Sequence, residues 1–337
     1  MAADPGIPAG RGAALRTLLA LGLFVLLGLV ASGSAGADPR RIELPNGDVY
    51  EGEIRDGSRT GEGVYTWADG HRYEGQFLNN RMDGKGVYYW PDGRTYDGDF
   101  AGDRREGKGV LRWPNGDVYQ GEFRDDRMHG LGEFVWANGD RYVGLFVAGQ
   151  RTGQGEFTWA SGERYRGAFV DGKLQGEGVF EWPDGRSYQG LFVDGVKSGV
   201  GVFQWPNGNR YVGQFADDKR AGLGLFYWRD GTLFRGQFAD NRMNGYGVKQ
   251  QPDGSMHLQH WEDGTLVMTR PLQAVPRCLL TIDDRPWMFD SDQCINGLAH
   301  GRGLAASLDG ERIVLAGRFV LGNLVEGDIT LLKLGDS

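Results

Sequence analysis

The sequence predicts an all-β protein: an elongated, right-twisted, single-layer antiparallel sheet, a β-hairpin solenoid of nine 23-residue repeats with degenerate caps. Three observations predict it. Glycine accounts for 58 of the 337 residues and aromatics for 12%, a mixture suited to short strands joined by tight turns. An aromatic residue opens a unit at Tyr50, Tyr73, Tyr96, Tyr119, Tyr142, Tyr165, Tyr188, Tyr211 and Phe234, every step being 23 residues. Within each unit the aromatic and glycine positions alternate with period two, which is strand periodicity and not helical.

The sixth unit, Tyr165 to Ser187, reads YRGAFVDGKLQGEGVFEWPDGRS. Positions three, twelve, fourteen and twenty-one are Gly in all nine copies. Position five is Phe in eight, with Ile54 the exception, and position eighteen is Trp in eight, with Gln251 the exception. Alternation places Tyr165, Gly167 and Phe169 on one face of a first strand, and Gly176, Gly178, Phe180 and Trp182 on one face of a second. The eighth position is always Gly, Asn or Asp, residues that tolerate the positive φ of a hairpin turn. The second turn is Pro-Asp-Gly, Pro-Asn-Gly or a near relative, as in Pro91-Asp92-Gly93. A lone hairpin is marginal in water. Stacked hairpins bury a continuous row of Tyr, Phe and Trp, with Gly leaving room for the rings. Eighteen strands at about 4.8 Å extend to roughly 85 Å, twist rightwards and behave as a quasi-one-dimensional array.

Partial units flank the array. Leu44 to Val49 matches a second-turn segment, and His257 to Gly264 resembles a decayed first strand and turn. Terminal repeats are expected to be atypical because they cap open edges. Three regions follow: a leader over 1–37, the array over 38–266 with full units at 50–256, and a degenerate cap over 267–337. In the cap, Gly301-Arg302-Gly303, Asp309-Gly310, Gly317-Arg318-Phe319 and Gly322 echo elements of the unit.

Arg11 and Arg16 precede an apolar run from Thr17 to Ala31, followed by small residues ending in Ala35-Gly36-Ala37. This is the layout of a secretory signal peptide, with cleavage expected after Ala37. About 15 apolar residues are short for a bilayer span, so an anchor formed by residues 17–31 is the alternative. Either way the body is exported, to the periplasm or the extracellular space. The two cysteines, Cys278 and Cys294, are too few for a disulfide framework or a multi-cysteine zinc site. In an oxidising compartment they are expected to pair and staple the cap.

The 23-residue unit, aromatic-x-Gly-x-Phe, then Gly-x-Gly, then Trp-x-(Asp/Asn)-Gly, resembles the MORN repeat (membrane occupation and recognition nexus). The resemblance covers about Ile42 to Gly264, and nine in-phase copies make it specific. It implies a twisted β-sheet that acts as a scaffold, organises protein partners and often dimerises, so a homodimer is an expectation. Lipid binding occurs in some family members, and here it extends at most to weak phospholipid contact. Many MORN proteins carry a kinase or methyltransferase domain, for which this chain has no room.

Catalytic chemistry is not expected, and neither are a cofactor or a metal. The Gly-x-Gly pairs recur without a following helix or a Lys-Ser/Thr, unlike a phosphate loop. The histidines share no repeat position, and spacing of three puts His257 and His260 on opposite faces of a strand. Asp283, Asp284, Asp290 and Asp292 beside Trp287 read as a solvated loop. The formal charge of −8 argues against nucleic acid as a partner. One feature suggests recognition. Position nine or ten is basic in every unit: Arg59, Arg81, Arg104 with Arg105, Arg127, Arg151, Lys173, Lys197, Lys219 with Arg220, and Arg242. On aligned turns these form a row spaced about 9.6 Å. Such a row either holds an acidic partner or lipid headgroups, or pairs locally with turn aspartates such as Asp125, Asp194 and Asp240. The resulting expectation is an exported, non-enzymatic scaffold. The alternative is a peripheral envelope binder of phospholipid or anionic polymer.

Overall fold

The computed structural model describes residues 40–273, 278–291 and 293–332, all within one compact unit, Pro39–Ser337. The expected leader, its cleavage position after Ala37 and Asp292 of the acidic group lie outside the described residues. One antiparallel sheet of 21 strands runs from Arg40–Glu43 to Thr265–Pro271. Each of its strands pairs with the next in sequence, so hairpin follows hairpin throughout. The sheet therefore runs five residues past position 266.

Each full unit contributes a seven-residue and a nine-residue strand, in the sixth unit Arg164–Val170 and Lys173–Glu181. The turn between them places Asp171 at φ 48° and Gly172 at φ 79°. Two successive positive φ values make a two-residue type I′ connection, whose twist matches that of the flanking strands. Position seven therefore shares the demand that the sequence places on position eight. In the second connection, the Gly185 amide donates to the Trp182 carbonyl (3.0 Å) and the Trp182 amide to the Arg186 carbonyl (3.0 Å). The Arg186 amide donates to Asp184 Oδ1 (3.0 Å). The aspartate thus fixes the turn through its side chain, as Asx residues do.

Within each hairpin the register breaks. Gly167 faces Gly178, whereas Ala168 faces Gln175, leaving Gly176 and Glu177 unopposed. Gly176 at φ 70° supplies the left-handed backbone of this bulge. Two residues are set aside, an even number, so Leu174, Gly178 and Phe180 keep one face, opposite Phe169, Gly167 and Tyr165, as the two-residue alternation expects, with Gly176 at the bulge itself. The connections between units carry no such break, as between Lys173–Glu181 and Ser187–Val193.

The register ahead of the break sets the glycines of positions three and fourteen in one row across the array, from Gly52 opposite Gly63 to Gly236 opposite Gly247. Over that row lie the tyrosines. A Cβ added at Gly178 would stand 2.5 Å from Tyr165 Cε2, and one added at Gly167 would stand 2.3 Å from the Tyr165 hydroxyl. The hydroxyl donates to the Ala168 carbonyl (3.1 Å) at the register break, pairing an acceptor where the ladder is interrupted. The same tyrosine-to-position-four bond recurs from Tyr50 to Tyr211. Burial pushes the Tyr142 and Tyr165 hydroxyls up to about 12. Phe169 packs edge-on to its own Tyr165 and to Tyr142 of the preceding unit, at 5.3 and 5.1 Å. This Tyr–Phe zipper is the core of the array. The tryptophans pack on it half-exposed.

A second sheet includes strands Leu280–Ile282, Arg285–Asp290, Gly301–Ser307 and Arg312–Val320. It repeats the ring-over-glycine device: Gly303 faces Gly317, and a Cβ on either would meet the ring of Phe289 or Phe319 within 2.7 Å. Its Met288, Leu304 and Ile313 cluster with Val248 and Leu258 of the array. Arg235 Nη1 donates to the Asp309 carbonyl (3.2 Å) across the same contact. Cys278 and Cys294 are joined in a disulfide, their Cα atoms 5.4 Å apart, within the usual span. Closing a loop of this length stabilises by about 3 kcal/mol in the chain-entropy model. Reduction is therefore expected to lower the melting of the Trp287-containing sheet while the array keeps its own transition. Hydrogen exchange over 301–307 against 142–170, with and without reductant, measures it.

Candidate binding surface

The basic row divides. Positions nine and ten are neighbours in a strand, and neighbours point to opposite faces. Arg81, Arg104, Arg127, Lys173, Lys219 and Arg242 occupy position nine, on the face away from the tyrosines. Arg59, Arg105, Arg151, Lys197 and Arg220 occupy position ten, on the aromatic face. The single stripe expected from the sequence is corrected accordingly: the charges recur in step, but the backbone aims them in two directions.

Of the position-nine cations, Arg81, Arg104, Lys173, Lys219 and Arg242 reach the turn of the following unit. Lys173 Nζ lies 3.0 Å from Asp194 Oδ1 and Lys219 Nζ 2.6 Å from Asp240 Oδ1; Arg104 pairs in the same way with Asp125. These side chains are more than half exposed, so each pair adds little stability. They mainly neutralise one another.

The position-ten cations lie on rings. Arg59 Cζ is 4.6 Å from the Tyr65 ring centroid, Arg151 Cζ 5.2 Å from that of Phe157, and Arg220 Cζ 5.6 Å from that of Phe226. Each also binds the turn of the next unit: Arg59 Nη2 donates to the Asn80 carbonyl (2.8 Å) and Arg151 Nη2 to that of Gly172 (3.2 Å). Arg220 donates likewise to Asn241. Desolvation pulls the Arg151 and Arg220 guanidinium groups below the usual arginine range. Arg105 and Lys197 additionally pair with Asp126 and Asp218.

Beside these cations runs a ladder of rings. From Trp113 to Trp228 the position-eighteen tryptophans alternate with the position-sixteen aromatics, centroids 4.4 to 5.5 Å apart. Sequence reasoning found the tryptophans but treated them as core. The covered place over the glycines is taken by tyrosine, and the tryptophans lie beside it, partly exposed.

The other candidate features are dispersed. Asp283 and Asp284 form a turn at φ 51° and 57°, Asp290 pairs with Arg270, and Trp287 is buried. His260 stacks on Tyr246 at 4.2 Å. Among the described residues no group of three or more His, Cys, Asp or Glu is placed to hold a metal ion.

The MORN repeat model matches nine consecutive segments: 50–72, 73–93, 96–118, 119–141, 142–164, 165–185, 188–210, 211–233 and 234–256. The chain belongs to the MORN-repeat family. As a MORN array it is a repeat-based interaction module, of a kind that is generally non-enzymatic. A search of curated proteins finds no significant match. Among solved structures, the SAS-4 (dCPAP) TCP domain of Drosophila melanogaster, in complex with a proline-rich motif of Ana2 (dSTIL), is 18% identical. That match covers 50% of this chain and 99% of the other at a TM-score of 0.30. The wild-type TCP10 domain of Danio rerio CPAP is 17% identical, over 68% of this MORN protein and 99% of that domain, at a TM-score of 0.26. Scores at this level do not establish a common fold.

Proposed function

We propose that this MORN protein is an exported, non-enzymatic scaffold that holds a protein partner along its aromatic face. The observation that carries the reading is the ladder from Trp113 to Trp228, half-exposed on a face where the described residues supply no covering layer. A contiguous aromatic surface of that kind marks an interaction site. Export is supported by the basic start, apolar run and Ala-x-Ala ending of residues 11–37, and the disulfide suits an oxidising compartment. The alternative, an anionic lipid or polymer bound along one basic row, loses its premise because the row divides between two faces.

Two neighbouring residues test the face. A photo-crosslinking amino acid at Met128, on the aromatic face, is expected to capture a protein in cells; the same probe at Arg127, on the opposite face, is not. Equal capture at both positions, or none at Met128, overturns the reading. Mass measurement of the exported chain is expected to show Asp38 as the first residue. Recovery of residues 17–31 in the membrane fraction would instead support the anchored form.

A further inference from the structure

Position ten does not vary at random. Along the array it reads Arg59, Met82, Arg105, Met128, Arg151, Leu174, Lys197, Arg220, Met243, so over the first seven units cation and apolar side chain alternate. The alternation controls exposure of the ring at position sixteen. Where position ten is arginine, that residue is covered: Tyr65 is 7% exposed, Leu111 5%, Phe157 7% and Phe226 9%. Where it is Met or Leu, the rings of Tyr88, Phe134 and Phe180 are half-exposed. Arginine lays its long side chain across the ring, whereas methionine leaves the ring open. Two hollows on this face fall at methionine units. One, of about 250 Å3, is lined by Met82, Tyr88 and Trp90 with Arg105 at its border. The other, of about 320 Å3, is lined by Met243, Trp228 and Trp261 with Arg220 at its border. Lys197 leaves Phe203 partly exposed, so it is over the first six units that the aromatic face is a two-unit, 46-residue repeat of open apolar slots separated by arginine-covered units.

The spacing selects the shape of an occupant. One unit advances two strands, about 9.6 Å, and slots recur about every 19 Å. A polyproline II segment rises about 3.1 Å per residue with three residues per turn. It therefore presents the same side to the sheet once per unit, every third residue, and meets a slot every sixth. An extended strand advances about three residues per unit at roughly 3.3 Å each; it also returns one side to every slot after six residues, but the residue midway between two slots then points away from the ladder. An α-helix, at about 1.5 Å and 100° per residue, falls out of phase at both spacings. Charge adds a second criterion. Arg59, Arg151 and Arg220 have no carboxylate within 4.0 Å among the described residues, unlike Arg105 and Lys197. Arg151 stands between the slots of Met128 and Leu174.

Resting on the reading of the aromatic face as the binding surface, we propose that the partner docks through a proline-rich polyproline II segment running across the strands. Its apolar residues occupy the slots of Met82, Met128 and Leu174, at six-residue intervals. An acidic residue midway between two of them meets Arg151. Preformed polyproline II segments lose little entropy on docking to aromatic surfaces.

The test uses the intact exported protein and the peptide (Pro-Pro-Pro-Glu-Pro-Pro)3, with binding read by tryptophan fluorescence and calorimetry. Binding is expected to weaken at least tenfold when Glu becomes Lys, and at least tenfold when all prolines become Gly or Ser. Met128→Arg and Leu174→Arg are expected to weaken it at least tenfold with melting unchanged, since arginine is native at this position in neighbouring units. Arg151→Met is expected to narrow the difference between the Glu and Lys peptides. Equal affinity for the flexible peptide, or no effect of either slot variant, overturns the proposal. If the probe at Met128 captures a protein but no proline peptide binds, the proposal fails while the binding face stands. Capture of a second copy of this chain at Met128 assigns the slots to self-association and also overturns it. If neither capture nor peptide binding occurs, both readings fall together.

Discussion

Tyr165→Ala is expected to cost about 4 kcal/mol, the range for emptying a large buried aromatic site. Its ring is 0% exposed, lies over two glycines, and meets Phe169 and Phe192 edge-on at 5.3 and 5.1 Å. The substitution also removes the hydroxyl that donates to the Ala168 carbonyl, a loss worth about 1 kcal/mol in its own right. Collapse cannot refill the gap, because the residues beneath are glycines with no side chain to move inward. In a one-dimensional array the damage concentrates in the mutated unit and its two interfaces. Hydrogen exchange is therefore expected to accelerate most over residues 164–193, alongside a lower denaturant midpoint. Trp159→Ala serves as the comparison. That ring is half-exposed on the ladder, so its truncation is expected to cost about half as much. Equal costs would mean that the tryptophans belong to the core as much as the tyrosines do.

That comparison marks where the sequence was legible and where it was not. The 23-residue period, the hairpin turns and the pairing of aromatic with glycine all follow from residue spacing, because strand alternation and positive φ leave direct marks on composition. The bulge leaves a mark too, the invariant glycine at position twelve. Counting residues by twos nevertheless assigns Gly176 to the face of Gly178, since period two assumes an unbroken ladder. Alternation likewise puts tyrosine and tryptophan on one face without saying which ring lies over the glycines; tyrosine takes that covered place and tryptophan the half-open one. The basic row fails for a related reason. Charge alone does not distinguish Arg104 from Arg105, yet the first pairs with Asp125 in solvent and the second lies against the rings of Trp90 and Phe123. A usable signal was present in the alternation of Arg with Met or Leu at position ten, which only an aromatic-face position would show.

Gly178→Val is expected to be at least as damaging as the loss of the tyrosine, about 4 kcal/mol or more, through overpacking at a site with nowhere to relax. The φ of Gly178 lies outside the left-handed region, so the backbone itself would accept valine. The obstacle is the Tyr165 ring, whose Cε2, hydroxyl and Cζ would lie 2.5, 2.5 and 2.7 Å from the new Cβ. Moving the ring aside would break its hydroxyl bond and its contacts with both neighbouring phenylalanines. Gly254→Ala provides the opposite case: φ is +85° but no atom lies within 4 Å of the added Cβ. Its cost is then backbone strain alone, about 1 to 2 kcal/mol. A double-mutant cycle separates steric from conformational effects. In a Tyr165→Ala background the ring is gone, so Gly178→Val is expected to lose most of its penalty, and the two costs are expected to be strongly sub-additive. Additive costs in guanidinium titrations would show that the ring does not rest on this glycine, and would remove the tyrosine-over-glycine row as the element that closes the sheet.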